Sequence, residues 1–231
     1  MSKWPPWESD VGSERGEAKL SPPITVLGIA ASPRRGGNTD LLLERALEGA
    51  AQAGAKVERI IAARLKIAPC IACDGCWEAG HCVVQDEYQM VYPKLLAAER
   101  IILASPIYFM AISAQGKILI DRCQCLWARK YVLHQPLPPT PSGEPRHGAL
   151  ITTAGHHVKM GFRCAATTMR YFMDVLDAEF AEELHAGDVD EKGAIREHPD
   201  LLEAAFALGR RLAQPLKSSP DESSIAAQRN K

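Results

Sequence analysis

Four of the seven cysteines fall in one short segment, CIACDGCWEAGHC, as Cys70, Cys73, Cys76 and Cys82, spaced C-x2-C-x2-C-x5-C. Two x2 steps can curl a chain tightly enough for three thiolates to converge, and a fourth cysteine closes the cage, as a [4Fe–4S] cluster requires. Gly75 and Gly80 offer backbone freedom for the wrap. Zinc is a second candidate, although four-cysteine zinc sites usually come as two separated C-x2-C knuckles. A redox dithiol such as Cys73 with Cys76 is a third, and it leaves the other two cysteines without a role. The fourth is a set of thiols with no cofactor. Cys123 and Cys125, two apart on a predicted helix, should point to different faces. Cys164 is isolated, so none of these three reads as a ligand. Asp121 and Arg122 read as an ion pair or subunit contact rather than as catalytic groups.

A second constellation is SPRRGGNTD, residues 32–40. It follows a short apolar run and opens a helix, where exposed N–H groups and the helix dipole favour an anion, above all a phosphate. Ser32, Asn38 and Thr39 add hydroxyl or amide donors, Arg34 or Arg35 adds charge-assisted bonds, and Gly36 and Gly37 permit close backbone approach. Neither a P-loop nor the dinucleotide G-x-G-x-x-G pattern is present. A third segment, SPIYFMAISAQGK (105–117), places Tyr108 and Phe109 just past a strand. Alone, the pair would be ordinary core packing; beside a phosphate loop it favours a flavin, with a flat ring held by backbone and aromatic groups.

The elements that must position these segments alternate. Apolar runs predict buried strands at 24–30, 56–63, 101–106 and 148–155, with a further strand at 178–185. Helical periodicity predicts helices at 38–54, 87–100, 112–131, 163–176 and 199–214, and 134–145 is a Pro-rich loop. Such an order implies a parallel sheet with helices on both faces, and ligands then bind at the carboxyl ends of the strands. The loops after the first, third and fourth strands should carry function. Residues 1–22 read as a polar extension, either a free arm or, as two Trp in seven residues favour, an arm whose Trp4 and Trp7 dock on a neighbouring surface such as a second subunit. Residues 23–215 form the domain, with a cysteine-rich loop at 67–88, and 216–231 form a flexible tail.

The 231 residues carry a net charge of −1, so nothing electrostatic points to nucleic acid or an anionic membrane. The longest strongly apolar stretch, 101–116, is shorter than a spanning helix needs and contains Pro106. The first residues lack the apolar core of a signal peptide, so a cytoplasmic location is expected, where structural disulfides are disfavoured.

With GIAASPRRGGNTDLLLERALEGA (28–50), IAPCIACDGCWEAGHCVVQDE (67–87), ERIILASPIYFMAISAQGKILIDR (99–122) and, more weakly, ALITTAGHH (149–157) in view, the chain resembles the flavodoxin-like NAD(P)H-dependent FMN reductase superfamily, and within it the iron–sulfur flavoproteins. The resemblance implies a flavodoxin-like α/β fold: three layers, doubly wound, a five-stranded parallel sheet in the order 2-1-3-4-5. It implies an FMN phosphate bound by Ser32, Arg34, Asn38 and Thr39 with the 35–37 backbone (Arg35, Gly36, Gly37). Pro106, Ile107, Tyr108 and Phe109 would line the ribityl chain and ring, with Thr153, Ala154 and Gly155 touching the ring. His156 stands beside that loop; it or Tyr108 could steer protonation at the flavin, and neither is assigned as catalytic. Cys70, Cys73, Cys76 and Cys82 would hold the cluster. A homodimer or tetramer with FMN near the subunit interface is implied, with NAD(P)H as a donor. Three functions stay open: an electron-transfer iron–sulfur flavoprotein served by a ferredoxin-like carrier or small-molecule acceptor, an NAD(P)H-dependent FMN or quinone reductase without a cluster, and a non-catalytic flavin-binding redox sensor.

Overall fold

The apolar runs become the central strands of a parallel sheet. A computed structural model describes residues 22–215; the arm with Trp4 and Trp7 and the tail from residue 216 lie outside the described residues. Strands β1 (Thr25–Ala30), β2 (Lys56–Ile61), β3 (Arg100–Tyr108), β5 (Arg146–Thr153) and β6 (Ala178–Ala186) pair in parallel in the order β2-β1-β3-β5-β6. This is the expected 2-1-3-4-5 order. The numbering shifts because a two-residue strand, β4 (Ala111–Ile112), pairs antiparallel with the end of β3. Expected to stop at Pro106, β3 runs two residues further because Ile107 and Tyr108 find partners in Ile112 and Ala111. Buried β1, β3 and β5 are apolar without alternation, as strands covered on both faces must be.

Helices α1 (Asn38–Gln52) and α7 (Pro199–Leu212) cover one face. They cross closely enough that a Cβ on Gly49 or Gly209 would run into the partner helix's backbone at Phe206 or Ala46. The other face is covered by α3 (Tyr88–Ala97), α4 (Ala114–Arg122), α5 (Gln124–Trp127) and α6 (Lys159–Asp174). A four-residue helix, α2 (Cys76–Ala79), lies inside the cysteine loop, where no helix was expected. Among the described residues no helix is long and apolar enough to cross a membrane.

The helix expected over 112–131 is broken. α4 ends at Arg122, Cys123 closes a tight turn to the Ile120 carbonyl, α5 follows, and residues 128–132 form a π turn. The break re-aims the chain, so Cys123 and Cys125 do not point apart. Their sulfurs stand 3.4 and 3.5 Å from the hydroxyl of fully buried Tyr88. Burial pushes the Tyr88 hydroxyl well above its ordinary range; burial likewise pushes the Cys125 thiol up to about 11.

Candidate functional site

Two sites flank α4. The first is a cleft at the carboxyl edge of the sheet, walled by the loops after β1, β3, β5 and β6. From the expected set it gathers Ser32, Arg34, Gly37, Asn38, Thr39, Pro106, Ile107, Tyr108, Thr153, Ala154 and Gly155. Arg35, Gly36, Phe109 and His156 do not line it. Val189 and Asp190, from the loop after β6, do line it; they carry no motif, and only the rule that ligands meet strand carboxyl ends pointed there.

The β1 loop is built to present backbone N–H groups. Gly37 precedes α1 and no side chain caps that helix, so the first-turn donors lack the usual side-chain acceptor. Gly36 adopts a left-handed φ of 63°, and its N–H donates to Asp40 Oδ2 at 2.8 Å. Asp40 is also paired with Arg59. Arg34 Nη1 donates to the Asp190 carbonyl at 3.1 Å, which holds the guanidinium beside the cleft.

Asn38 serves the site differently from expectation. Its side-chain amide donates to the carbonyls of Val189 and Glu191 at 3.0 and 2.9 Å, and its oxygen accepts from the N–H groups of Gly193 and Ile195 at 2.9 and 3.2 Å. The side chain therefore clamps the β6 loop against α1 and leaves the backbone N–H for a ligand. Thr39 and Thr153 share a buried hydrogen bond between hydroxyls, joining α1 to the end of β5.

Beyond the cleft, Phe109 and Met110 form the tip of the β3–β4 hairpin with φ of 48° and 62°. Two-residue hairpins of this type I′ kind need positive φ at both tip residues and usually place Asn or Gly there. Phe109 is fully exposed at this tip.

The second site is a small cavity in the cysteine loop. Cys70, Cys73, Cys76 and Cys82 all line it, joined by Arg122, Gln124 and Cys125 from the end of α4 and the start of α5. None of the four is in a disulfide. The curl comes from Ala72 and Asp74, which take left-handed φ of 51° and 55°, and from Gly80 at 69°. Gly75 is right-handed; it is required for space, since a Cβ there would stand 2.7 Å from Val83. Burial raises the Cys76 thiol above its ordinary value; its own backbone partly offsets this, and the sulfurs of Cys82, Cys70 and Cys73 add to the rise. Among the described residues no three His, Cys, Asp or Glu side chains gather closely enough to hold a metal ion; the four thiols line the wall of the cavity.

Arg122 ties this loop to α4. It pairs with Asp86 at 2.5 Å, and Asp86 also accepts from the N–H groups of Ala68 and Tyr88. Asp121 pairs separately with Lys117. Burial pushes the Asp86 carboxyl up, but the Arg122 bond and the two N–H groups bring it below its ordinary value. The cysteine loop leaves the same sheet edge as the cleft, yet its cavity closes near the far end of α4. Ser113, which caps the near end, donates to the Ala31 carbonyl at the base of the cleft loop. Nine helical residues at 1.5 Å each separate the two ends by about 13 Å.

The family model for NADPH-dependent FMN reductase matches residues 24–182. The chain belongs to the NADPH-dependent FMN reductase family. Within this family the matched span covers every expected residue of the cleft and of the cysteine cavity. The chain is similar to an iron–sulfur flavoprotein of Methanocaldococcus jannaschii, 44% identical over 103 residues, covering 45% of this chain and 53% of that one. It is also similar to an iron–sulfur flavoprotein of Methanosarcina thermophila, 35% identical over 110 residues, covering 48% and 58%. The chain thus spans about half the length of the curated relatives it matches. Among solved structures, an NAD(P)H:quinone oxidoreductase from Methanothermobacter marburgensis shares the fold at a TM-score of 0.65 and 15% identity, covering 85% of this chain and 100% of that one. This FMN reductase family member therefore has the flavodoxin-like α/β architecture.

Proposed function

We propose that the protein is a flavin-dependent oxidoreductase that binds FMN in the sheet-edge cleft and a [4Fe–4S] cluster in the cysteine cavity, and passes electrons between them. The cleft suits FMN because an uncapped helix N-terminus, Arg34 and the Ser32 hydroxyl meet at one end, as a phosphate needs. Pro106, Ile107 and Tyr108 offer a wall for the ribityl chain and ring, and the Ala154–Gly155 backbone faces them across the cleft.

The observation that carries the cluster reading is one cavity walled by all four thiols of the C-x2-C-x2-C-x5-C segment. Four-cysteine zinc sites usually come as two separated C-x2-C knuckles, whereas the compact C-x2-C-x2-C-x5-C spacing is of the kind that iron–sulfur clusters use. Arg122 lines the same cavity, and its Nε is buried with no acceptor among the described residues. The names of the relatives point the same way.

When bound, FMN takes two electrons as a hydride and releases them singly, and a [4Fe–4S] cluster takes one at a time. The chain's own residues then hold the phosphate, orient the ring and keep the cysteine loop apart from the cleft along α4. NAD(P)H, or a ferredoxin-like carrier, is the proposed partner in exchange. We further propose a homodimer or tetramer.

The test is the visible spectrum of anaerobically purified protein with an iron and sulfide assay. Flavin bands, a broad dithionite-bleachable absorption and about four irons per chain are expected. Cys76→Ser should remove iron and spare flavin. Flavin with no iron would leave a cluster-free NAD(P)H-dependent FMN or quinone reductase, a reading that rests on the family match alone; brisk NAD(P)H oxidation with added FMN or quinone would then mark it.

A further inference from the structure

Arg122 is 1% exposed, at the end of α4. Its Nη1 donates to the Ala68 carbonyl at 2.9 Å and to Asp86 at 2.5 Å; its Nη2 donates to the Val84 carbonyl at 3.2 Å and to Cys82 Sγ at 3.3 Å. The guanidinium lies over the Tyr88 ring, 4.8 Å from its centre. One side chain therefore grips the cysteine loop both before Cys70 and after Cys82, and touches one of the four sulfurs. A lysine has no planar fork and could not make this set of contacts.

We propose that Arg122 is the positioning residue of the cluster site, holding the two ends of the cysteine loop together and raising the cluster's reduction potential through its N–H bond to the Cys82 sulfur. The inference rests on the cluster reading above. A cationic donor on a ligand sulfur stabilises the reduced, more negative state of the centre, and hydrogen bonds to the sulfurs are among the main determinants of cluster potential. Gathering the loop before metal arrives also lowers the ordering cost of binding.

The test compares wild type, Arg122→Lys and Arg122→Gln after anaerobic reconstitution with ferrous iron and sulfide. Iron and flavin per chain are measured, then the cluster midpoint potential by spectroelectrochemical titration. Arg122→Gln should retain iron about tenfold less well, within the range expected when a ligand's supporting partner is lost, with flavin unchanged. Arg122→Lys, which keeps the charge without the fork, should take up cluster at a lower potential than wild type. Iron and potential equal to wild type in both variants would overturn the assignment. If Arg122→Gln loses flavin as well, Arg122→Lys decides: a lowered potential supports the role, and an unchanged one overturns it. Wild type that takes up no iron would instead sink the cluster reading itself, and this assignment with it.

Discussion

The hydroxyls of Thr39 and Thr153 meet at 2.5 Å, both buried. One lies in the first turn of α1 and the other at the last residue of β5, so a single bond joins two sides of the cleft. Replacing Thr39 with Val removes the bond and leaves the Thr153 hydroxyl buried without that partner, which costs about 1–3 kcal/mol. Flavin affinity should fall about tenfold, read as FMN retained through dialysis. Flavin content equal to wild type would show that neither hydroxyl shapes the site.

Asn38→Ala removes four hydrogen bonds between α1 and the loop after β6. Two carbonyls and two N–H groups lose their partner, and a loss of about 2–4 kcal/mol is expected. Urea unfolding should show it, and limited proteolysis should cut within 189–195. Asn38→Asp should also destabilise, because a carboxylate can accept from Gly193 and Ile195 but repels the carbonyls of Val189 and Glu191. An Asp variant as stable as wild type would refute the clamp.

Phe109 has a left-handed φ and a side chain wholly in solvent. Asparagine tolerates that conformation better than an aromatic residue. Phe109→Asn should therefore stabilise the protein by about 1 kcal/mol, a rise of about 2–4 °C in Tm for a domain of this size. The same variant tests the flavin role expected for Phe109. Unchanged FMN content would agree with its position outside the cleft, and a marked loss would show that the tip folds over the ring.

Two histidines predict an acid-side loss of stability distinct from that of the carboxylates. Burial, then the Arg100 charge, lowers His147 below the ordinary 6.5; burial lowers His185 in the same direction. Below about pH 6.5 the unfolded chain binds protons that the folded chain resists, so stability is full above that value and falls as pH drops toward the lowered folded values. Urea midpoints between pH 7.5 and 5.5 should fall, and the slope should flatten in His147→Gln with His185→Gln. Asp86 shifts down in the folded state, so its contribution goes only below about pH 4. A double variant with the wild-type slope over pH 7.5–5.5 would assign the effect elsewhere.

Much of this architecture was already written in local sequence. Strands β1, β3 and β5 are apolar on both faces, and that composition forces a covered parallel sheet. Gly36 marks a strand-to-helix turn because few other residues allow its left-handed backbone, φ 63°. The cysteine spacing placed four thiols in one short loop, and all four line one cavity there.

Other features depended on residues far apart in sequence, which no local pattern encodes. Asn38 looked like a phosphate donor until a loop more than 150 residues away took up its side chain. Cys123 and Cys125 looked divergent on an unbroken helix, and the break at Cys123 turned both toward Tyr88. Arg122 read as an ordinary ion-pairing residue. Only packing of α4 against the cysteine loop gave it Asp86, Cys82 and two carbonyls at once. Sequence by itself determined which chemistry the residues can do, because residue type and short-range spacing set that. Tertiary structure decided which side chains face a ligand and which hold the frame, because a buried polar group takes whichever partner the fold brings within reach.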